Sequence, residues 1–184
     1  MTLPIEIEIW QGEIAELEVD AVVIPANESL FMTAPVAAAV KRYAGDEVET
    51  EAVAQGPVPA GSAVVTSGGR LAAPYVIHAV GVGHDLRHDP EQLRRAIDAA
   101  LDAADHLSLR RIAVGTLGVE RGVFTPAEAA EILLEAIVDR AEAGSETPES
   151  VVVAVTHSQE LSDYLAALET VATRAAALPP AESA

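Results

Sequence analysis

The chain contains no cysteine, which excludes disulfides, thiolate metal sites and a cysteine nucleophile in one step. Aromatics are nearly as scarce. Two Phe, one Trp and three Tyr, 3% of the 184 residues, leave little surface on which nucleic-acid bases could stack. Basic side chains are few as well: 11 Lys and Arg face 29 Asp and Glu, a formal net charge of -18, and Lys41 is the single lysine. A chain so acidic repels a phosphate backbone, so nucleic acid is not an expected partner. Long apolar runs are missing too. The largest, such as Val151 to Val155, fall well short of the ~18–20 residues that span a bilayer, so no membrane association is expected. Met1-Thr2-Leu3-Pro4-Ile5-Glu6 shows no basic stretch followed by an apolar one, so no export signal is read and a cytoplasmic location is expected.

Half of the residues are apolar, ample for a core and incompatible with intrinsic disorder. At this length one domain is expected, over residues 1–177, with 178–184 as a flexible tail. The acid surplus and lysine scarcity point either to a salt-rich source, where a hydrated acidic surface keeps a protein soluble, or to compositional drift. Both readings stay open at this point.

Ile5, Ile7 and Ile9 alternate with Glu6 and Glu8, the pattern of a half-buried strand towards a sheet edge. Val19 to Ala26 is nearly continuous in apolar residues and reads as a strand buried on both faces, with Pro25 ending its pairing. Pro35 opens a helix that Gly45 stops, and a second short helix covers Glu47 to Ala54. Gly61 to Thr66 and Tyr75 to Val80 are strands. Pro90 opens an amphipathic helix with Leu93, Ile97, Ala100 and Leu101 on one face. Arg111 to Val114 is a strand, Gly115 to Thr125 a loop, and Pro126 starts the next helix. Val151 to Val155 and Gln159 to about Ala177 complete the series. Strands alternating with helices predict an α/β fold with helices on both faces of a mixed, mostly parallel sheet. In such sheets ligands sit outside the carboxyl ends of the strands, which singles out residues 25–36, 80–89 and 115–126.

Asn27, just after a buried strand, offers one acceptor and two donors to a ligand hydroxyl. The same side chain could equally close an Asx-turn on its own loop. Gly115 to Phe124 joins a strand to a helix and could aim N–H groups at a phosphate, although it matches neither the P-loop nor the dinucleotide fingerprint. Glu120 would repel a diphosphate unless it points away, while Arg121 would help. His84, Asp85, His88 and Asp89 define no third metal ligand, so neither a metal nor another cofactor is expected. His78, inside an apolar strand, reads as a hydrogen-bonded core residue. Ser29, Ser67 and Ser158 lack nucleophile-elbow context, and His106 and His157 carry no signal.

Taken together, the segments resemble the macro domain, the three-layer α/β/α module that binds ADP-ribose and related nucleotides. Gln11-Gly12-Glu13-Ile14 followed by Val19-Asp20-Ala21-Val22-Val23-Ile24-Pro25-Ala26-Asn27 is similar to the family's G-D-I opening and its V-D-A-I-V-N-A-A-N strand. Gly61 to Thr66, Leu71 and Tyr75-Val76-Ile77-His78-Ala79-Val80-Gly81 resemble G-x-A-x-x-T…L…Y-V-I-H-T-V-G, the most specific piece. The resemblance implies adenine against Glu13 and Ile14, where glutamate replaces the family's aspartate. It implies the distal ribose against Ala26 and Asn27, and the phosphates between a first loop with Thr33, Ala34 and Val36 and a second with Gly118, Val119, Arg121, Gly122, Val123 and Phe124.

Departures from the family pattern bear on chemistry. The first loop reads Phe31-Met32-Thr33-Ala34-Pro35 where the family is glycine-rich, and Phe31 and Met32 could fill the pocket mouth. Ala37 stands where hydrolytic members place a water-orienting aspartate, so no residue is assigned to catalysis, with Asn27 the candidate if the chain is hydrolytic. The resemblance therefore implies a module binding ADP-ribose or a related adenine nucleotide, and through it an ADP-ribosylated protein. Two alternatives stay open: a mono-ADP-ribosyl or Appr-1″-phosphate hydrolase, and a diverged scaffold acting through protein contacts.

Overall fold

The computed structural model describes residues 3–177, so the expected tail at 178–184 lies outside the described residues. Eleven regular elements follow the chain: β1 (Glu6–Gln11), β2 (Ala21–Pro25), α1 (Pro35–Ala44), α2 (Asp46–Gln55), β3 (Ala63–Ser67), β4 (Tyr75–Ala79), α3 (Pro90–His106), β5 (Arg111–Val114), α4 (Pro126–Glu142), β6 (Ser150–Val155) and α5 (Ser158–Ala177). Two 3₁₀ turns, Ile14–Glu16 and Glu120–Gly122, interrupt segments that read as loop in the sequence.

The six strands form one sheet in the order β1-β6-β5-β2-β4-β3, and all pairs are parallel except β3 with β4. β1 is therefore an edge strand, as its alternation predicts. β2 lies at the centre with Ala21 to Ile24 essentially inaccessible, as its continuous apolar run predicts. The side-chain period of two splits β2 between the faces. Ala21 and Val23 belong to the layer of α3, α4 and α5, with Leu93, Ile97, Leu133, Ile137, Tyr164 and Val171. Val22 and Ile24 pack with α1 and α2 through Val40, Ala44 and Val48. Burying each such aliphatic side chain stabilises the fold by roughly 1.5–3 kcal/mol, so the helices are held on the sheet by these two apolar layers. Leu93→Ala would break the larger layer, at a cost of about 2–5 kcal/mol.

Prolines sit at the first turns of α1, α3 and α4, where the missing N–H costs nothing. α3 is capped by Asp89, whose carboxylate accepts from the Gln92 N–H at 2.9 Å. α4 carries a reciprocal capping box between Thr125 and Glu128. α1 and α2 differ: their N-caps are Ala34 and Gly45, and no side chain caps either. At the amino ends of the strands, Asp20 accepts from the backbone N–H groups of Arg110 at 2.7 Å and Arg111 at 2.8 Å, fastening β2 to β5.

Candidate functional site

Because β1, β6, β5, β2 and β4 are mutually parallel, their following segments gather at one end of the sheet. A cleft opens there as two adjoining chambers of about 360 Å³ and about 450 Å³. Pro25, Ala34, Pro35, Glu120 and Arg121 line both and so form the wall the chambers share. The β5 register with β2 ends at Val114 opposite Val23, so Pro25 reaches the cleft without forfeiting a ladder bond to β5.

The first chamber receives Glu13, Ile14, Val36 and Val119, all expected there, with Gly12, Arg42, Thr116, Thr156, His157 and Glu160. Ile14 is buried, while the Glu13 carboxylate engages no side-chain or backbone donor among the described residues and keeps its acceptor capacity for the cleft. The second chamber receives Ala26, Asn27 and Thr33 with Ser29, Phe31, Val82, His84 and Leu86. Asn27 performs the turn role that competes with ligand binding: its Oδ1 accepts from the Ser29 N–H at 3.0 Å, and its Nδ2 donates to the Phe31 carbonyl at 2.9 Å. It faces the chamber while bracing the loop. Its other N–H reaches Thr33 Oγ1 only at 3.5 Å, so a weakly held donor and one lone pair remain for anything bound there.

The first loop does not close the cleft. Met32 turns into the α1 layer, 4% exposed, and its N–H donates to Glu49 at 2.8 Å. Phe31 lies at the mouth of the second chamber with half its surface exposed. Glu49 in turn accepts from Lys41 at 2.7 Å, and these donors hold its carboxyl below the usual carboxylate range against the opposing effect of burial.

The second loop meets the chambers with Val119 and Arg121 and not with the other four residues named for it. Gly118, Gly122, Val123 and Phe124 do not line either chamber. Phe124 is 2% exposed, part of the α3–α4 core, with its ring 4.3 Å from that of His88. Gly118 has φ +89, a conformation that favours glycine, and a Cβ there would lie 2.6 Å from a terminal methyl of Leu93. The loop turns away from the cleft at the 3₁₀ turn, where Arg121 adopts the left-handed conformation with φ 53. Nothing in the identity of an arginine foretells that conformation, which costs an L-residue about 1–2 kcal/mol.

What the turn puts into the cleft is Glu120 and Arg121. Glu120 Oε2 is shielded from solvent with no hydrogen-bond partner, and burial pushes its carboxyl up to about 7, with weaker opposition from the backbone N–H groups of Glu120 and Gly118. The buried Tyr164 hydroxyl on α5 is likewise unpartnered. Burial first, then the charges of Glu160, Glu120 and Asp163, raise its pKa. Arg42, Arg70, Arg95 and Arg121 have no ion-pair partner among the described residues, and Arg42 and Arg121 line the cleft. The cleft therefore carries two arginines without an acid partner alongside the carboxyl groups of Glu13, Glu120 and Glu160.

The β6–α5 segment was legible only through topology. Thr156 and His157 carry no motif, yet they follow a parallel strand and must sit at the ligand end. Glu160 accepts from both of their N–H groups, at 3.0 and 3.1 Å. Of the remaining histidines, His84 Nε2 lies 3.0 Å from Ser29 Oγ and His88 is 3.2 Å from Glu128, so the two part company. His78 is buried against Thr66 Oγ1 at 3.0 Å, and burial holds its ring at about 4.

The family model of the Macro domain matches residues 23–133, which takes in Asn27, both chamber-lining loops after β2 and β5, and neither Glu13 nor β6. An uncharacterized protein of Aquifex aeolicus is 36% identical over 133 residues, 72% of this chain and 81% of that protein. The chain spans 37% of the length of a Mycobacterium tuberculosis relative that it matches at 35% identity. Among solved structures, an Oceanobacillus iheyensis macrodomain with ADP superposes with a TM-score of 0.80 at 24% identity, over 95% of this chain and 96% of that one. A Trypanosoma brucei macrodomain in complex with ADP-ribose gives 0.81 at 24%, over 86% and 67%. With a three-layer α/β/α fold and this cleft at the carboxyl ends of its strands, the chain belongs to the Macro domain family.

Proposed function

We propose that the cleft binds ADP-ribose or a related adenine nucleotide, with adenine towards Glu13 and Ile14, the diphosphate over the shared wall, and the distal ribose towards Asn27 and Thr33. The observation that carries this reading is the uncapped start of α1. Helices α3 and α4 are capped by side chains, α1 and α2 are not, and of these two uncapped starts it is that of α1, at Ala34, Pro35 and Val36, that lines the cleft. Pro35 occupies the first position, so the Val36 and Ala37 N–H groups stay available as anion donors at the positive end of the helix. Arg121 flanks them from the second loop and Arg42 from α1.

The reading is one of binding. Ala37 is 1% exposed among apolar neighbours, so the position that the family resemblance links to hydrolysis offers no group to orient water. The second chamber is bordered by exposed Phe31, His84 and Leu86, and a ribose still attached to a protein could enter by that side, making an ADP-ribosylated protein a partner. Calorimetry with ADP-ribose, AMP and adenosine tests the reading. Glu13→Ala should weaken all three by about 1–3 kcal/mol, the worth of a charge-assisted hydrogen bond to the adenine amino group. Unchanged affinity would reject that role for Glu13.

A further inference from the structure

Glu120 is out of keeping with a cleft for anions. It belongs to the wall shared by both chambers, beside the first turn of α1, where the proposed reading puts a diphosphate. Its Oε2 atom is shielded from solvent and accepts no hydrogen bond, and although Arg121 is its chain neighbour the two form no ion pair among the described residues. A carboxylate left in that state is costly to charge, because the backbone N–H groups of Glu120 and Gly118 offset its desolvation only in part. An anionic ligand on the same wall makes the charged form costlier still.

The groups that face Glu120 from the elements around it divide by sign. Arg121 on its own turn, Arg42 on α1, and His84 and His157 when protonated favour the carboxylate. Glu13 after β1 and Glu160 on α5 oppose it. On α5, the inaccessible Tyr164 hydroxyl senses the charge of Glu120 and has no acceptor of its own. None of these groups makes a hydrogen bond or ion pair with Glu120 in the described residues.

We infer that Glu120 is the specificity-determining residue of the cleft, coupling the entry of a diphosphate-bearing ligand to uptake of one proton on its carboxyl group while leaving an uncharged nucleoside indifferent to pH. In the protonated form Glu120 presents an O–H donor to a phosphate oxygen, and the wall loses the negative charge that would repel it. Above its titration range the carboxylate holds the site against dianions. The geometry fits a carboxyl that titrates near neutrality, since burial raises Glu120 to about 7. The inference rests on the nucleotide-binding reading of the cleft.

The test is isothermal calorimetry of ADP-ribose and of adenosine on the full chain and on Glu120→Gln, from about pH 5.5 to about pH 8.5 at constant high salt. ADP-ribose is the right probe because its diphosphate is esterified at both ends and has no proton to exchange in that range. The wild-type dissociation constant for ADP-ribose should be flat at the acid end and rise towards tenfold per pH unit above about 7, with one proton taken up per ligand bound, seen as a dependence of the heat on buffer ionisation. Adenosine should show no such slope. Glu120→Gln should flatten the ADP-ribose profile and bind it about tenfold or more tightly than wild type at the alkaline end. His84 and His157 are present in both proteins, so a slope retained in Glu120→Gln assigns the pH dependence to them and overturns the inference. Equal slopes for ADP-ribose and adenosine overturn it as well. Absence of ADP-ribose binding in both proteins at every pH overturns the nucleotide reading itself, and the inference with it.

Discussion

At the amino ends of the strands, Asp20 accepts two backbone N–H groups within 2.8 Å, and its neighbour Arg110 is held by Glu149 at 2.7 and 2.8 Å. At the carboxyl ends, Glu120 lines the cleft with one carboxyl oxygen, Oε2, that is shielded from water and has no hydrogen-bond partner among the described residues. Both are carboxylates in loops of the same sheet. One closes its hydrogen-bond account within the fold and serves as a fastener. The other is left open where two chambers meet, along with two arginines that have no acid partner and a helix start that has no cap. Of these two carboxylates, the fastener serves the stability of the sheet, while the one with an unsatisfied oxygen stands on the wall of the cleft.

Removing Asp20 should give the largest effect. Asp20→Ala leaves the N–H groups of Arg110 and Arg111 without their acceptor and should cost about 2–4 kcal/mol in urea unfolding, with nucleotide affinity unchanged once the protein is folded. An altered affinity in folded protein would erase the distinction between the two ends.

Glu120→Gln should act in the opposite direction on stability. A carboxyl raised from 4.5 to about 7 by folding stabilises fully below about 4.5, and that contribution is lost as pH rises through about 7. His78, lowered from 6.5 to about 4, contributes stability above 6.5 that is lost as pH falls through about 4. The two slopes oppose each other between about pH 4.5 and 6.5, so wild-type stability should be nearly flat there apart from other groups. Glu120→Gln should be more stable than wild type by on the order of 1–3 kcal/mol at pH 8, and should expose the His78 slope as a steady loss on acidification. Parallel profiles for the two proteins would mean that Glu120 ionises in the fold as freely as in the unfolded chain.

Arg121→Gly splits stability from binding. Glycine tolerates φ 53, so the variant should gain up to about 1 kcal/mol in thermal or chemical unfolding, while ADP-ribose binding weakens through the lost cation. A smaller effect follows from the net charge of -18, which opposes the approach of a dianion at long range. Raising salt from about 0.1 M to about 1 M shortens the screening length from about 10 Å to about 3 Å and should tighten ADP-ribose binding severalfold. Weaker binding at high salt would show that local attraction to Arg42 and Arg121 outweighs the field of the whole surface.

Much of the fold was legible because each element is specified several times over. Pro90 and Asp89 start α3, Pro126 with Thr125 and Glu128 starts α4, and Ala21 to Ile24 are apolar at both parities, as a doubly covered central strand requires. Ala26 and Asn27 fall at the cleft because they follow directly from a strand end, whereas Glu13 and Ile14 were indicated only by the family resemblance. The cleft was misread where local backbone geometry decides. Phe124 goes to the core and Glu120 to the cleft because Arg121 reverses the chain in a left-handed conformation that its side chain does not advertise. Asn27 closes the turn that its type and position allow, and it does so while lining a chamber.

The most direct test of the nucleotide cleft is an amide NMR titration of the full chain with ADP-ribose at about pH 6, below the range in which Glu120 ionises. The account predicts saturable shifts confined to the carboxyl end of the sheet, at Gly12 to Ile14, Asn27, Val36 and Ala37, and Thr116 to Arg121, with Asp20, Arg110 and Arg111 unmoved. Absent shifts, or shifts centred on the Asp20 end, would contradict it.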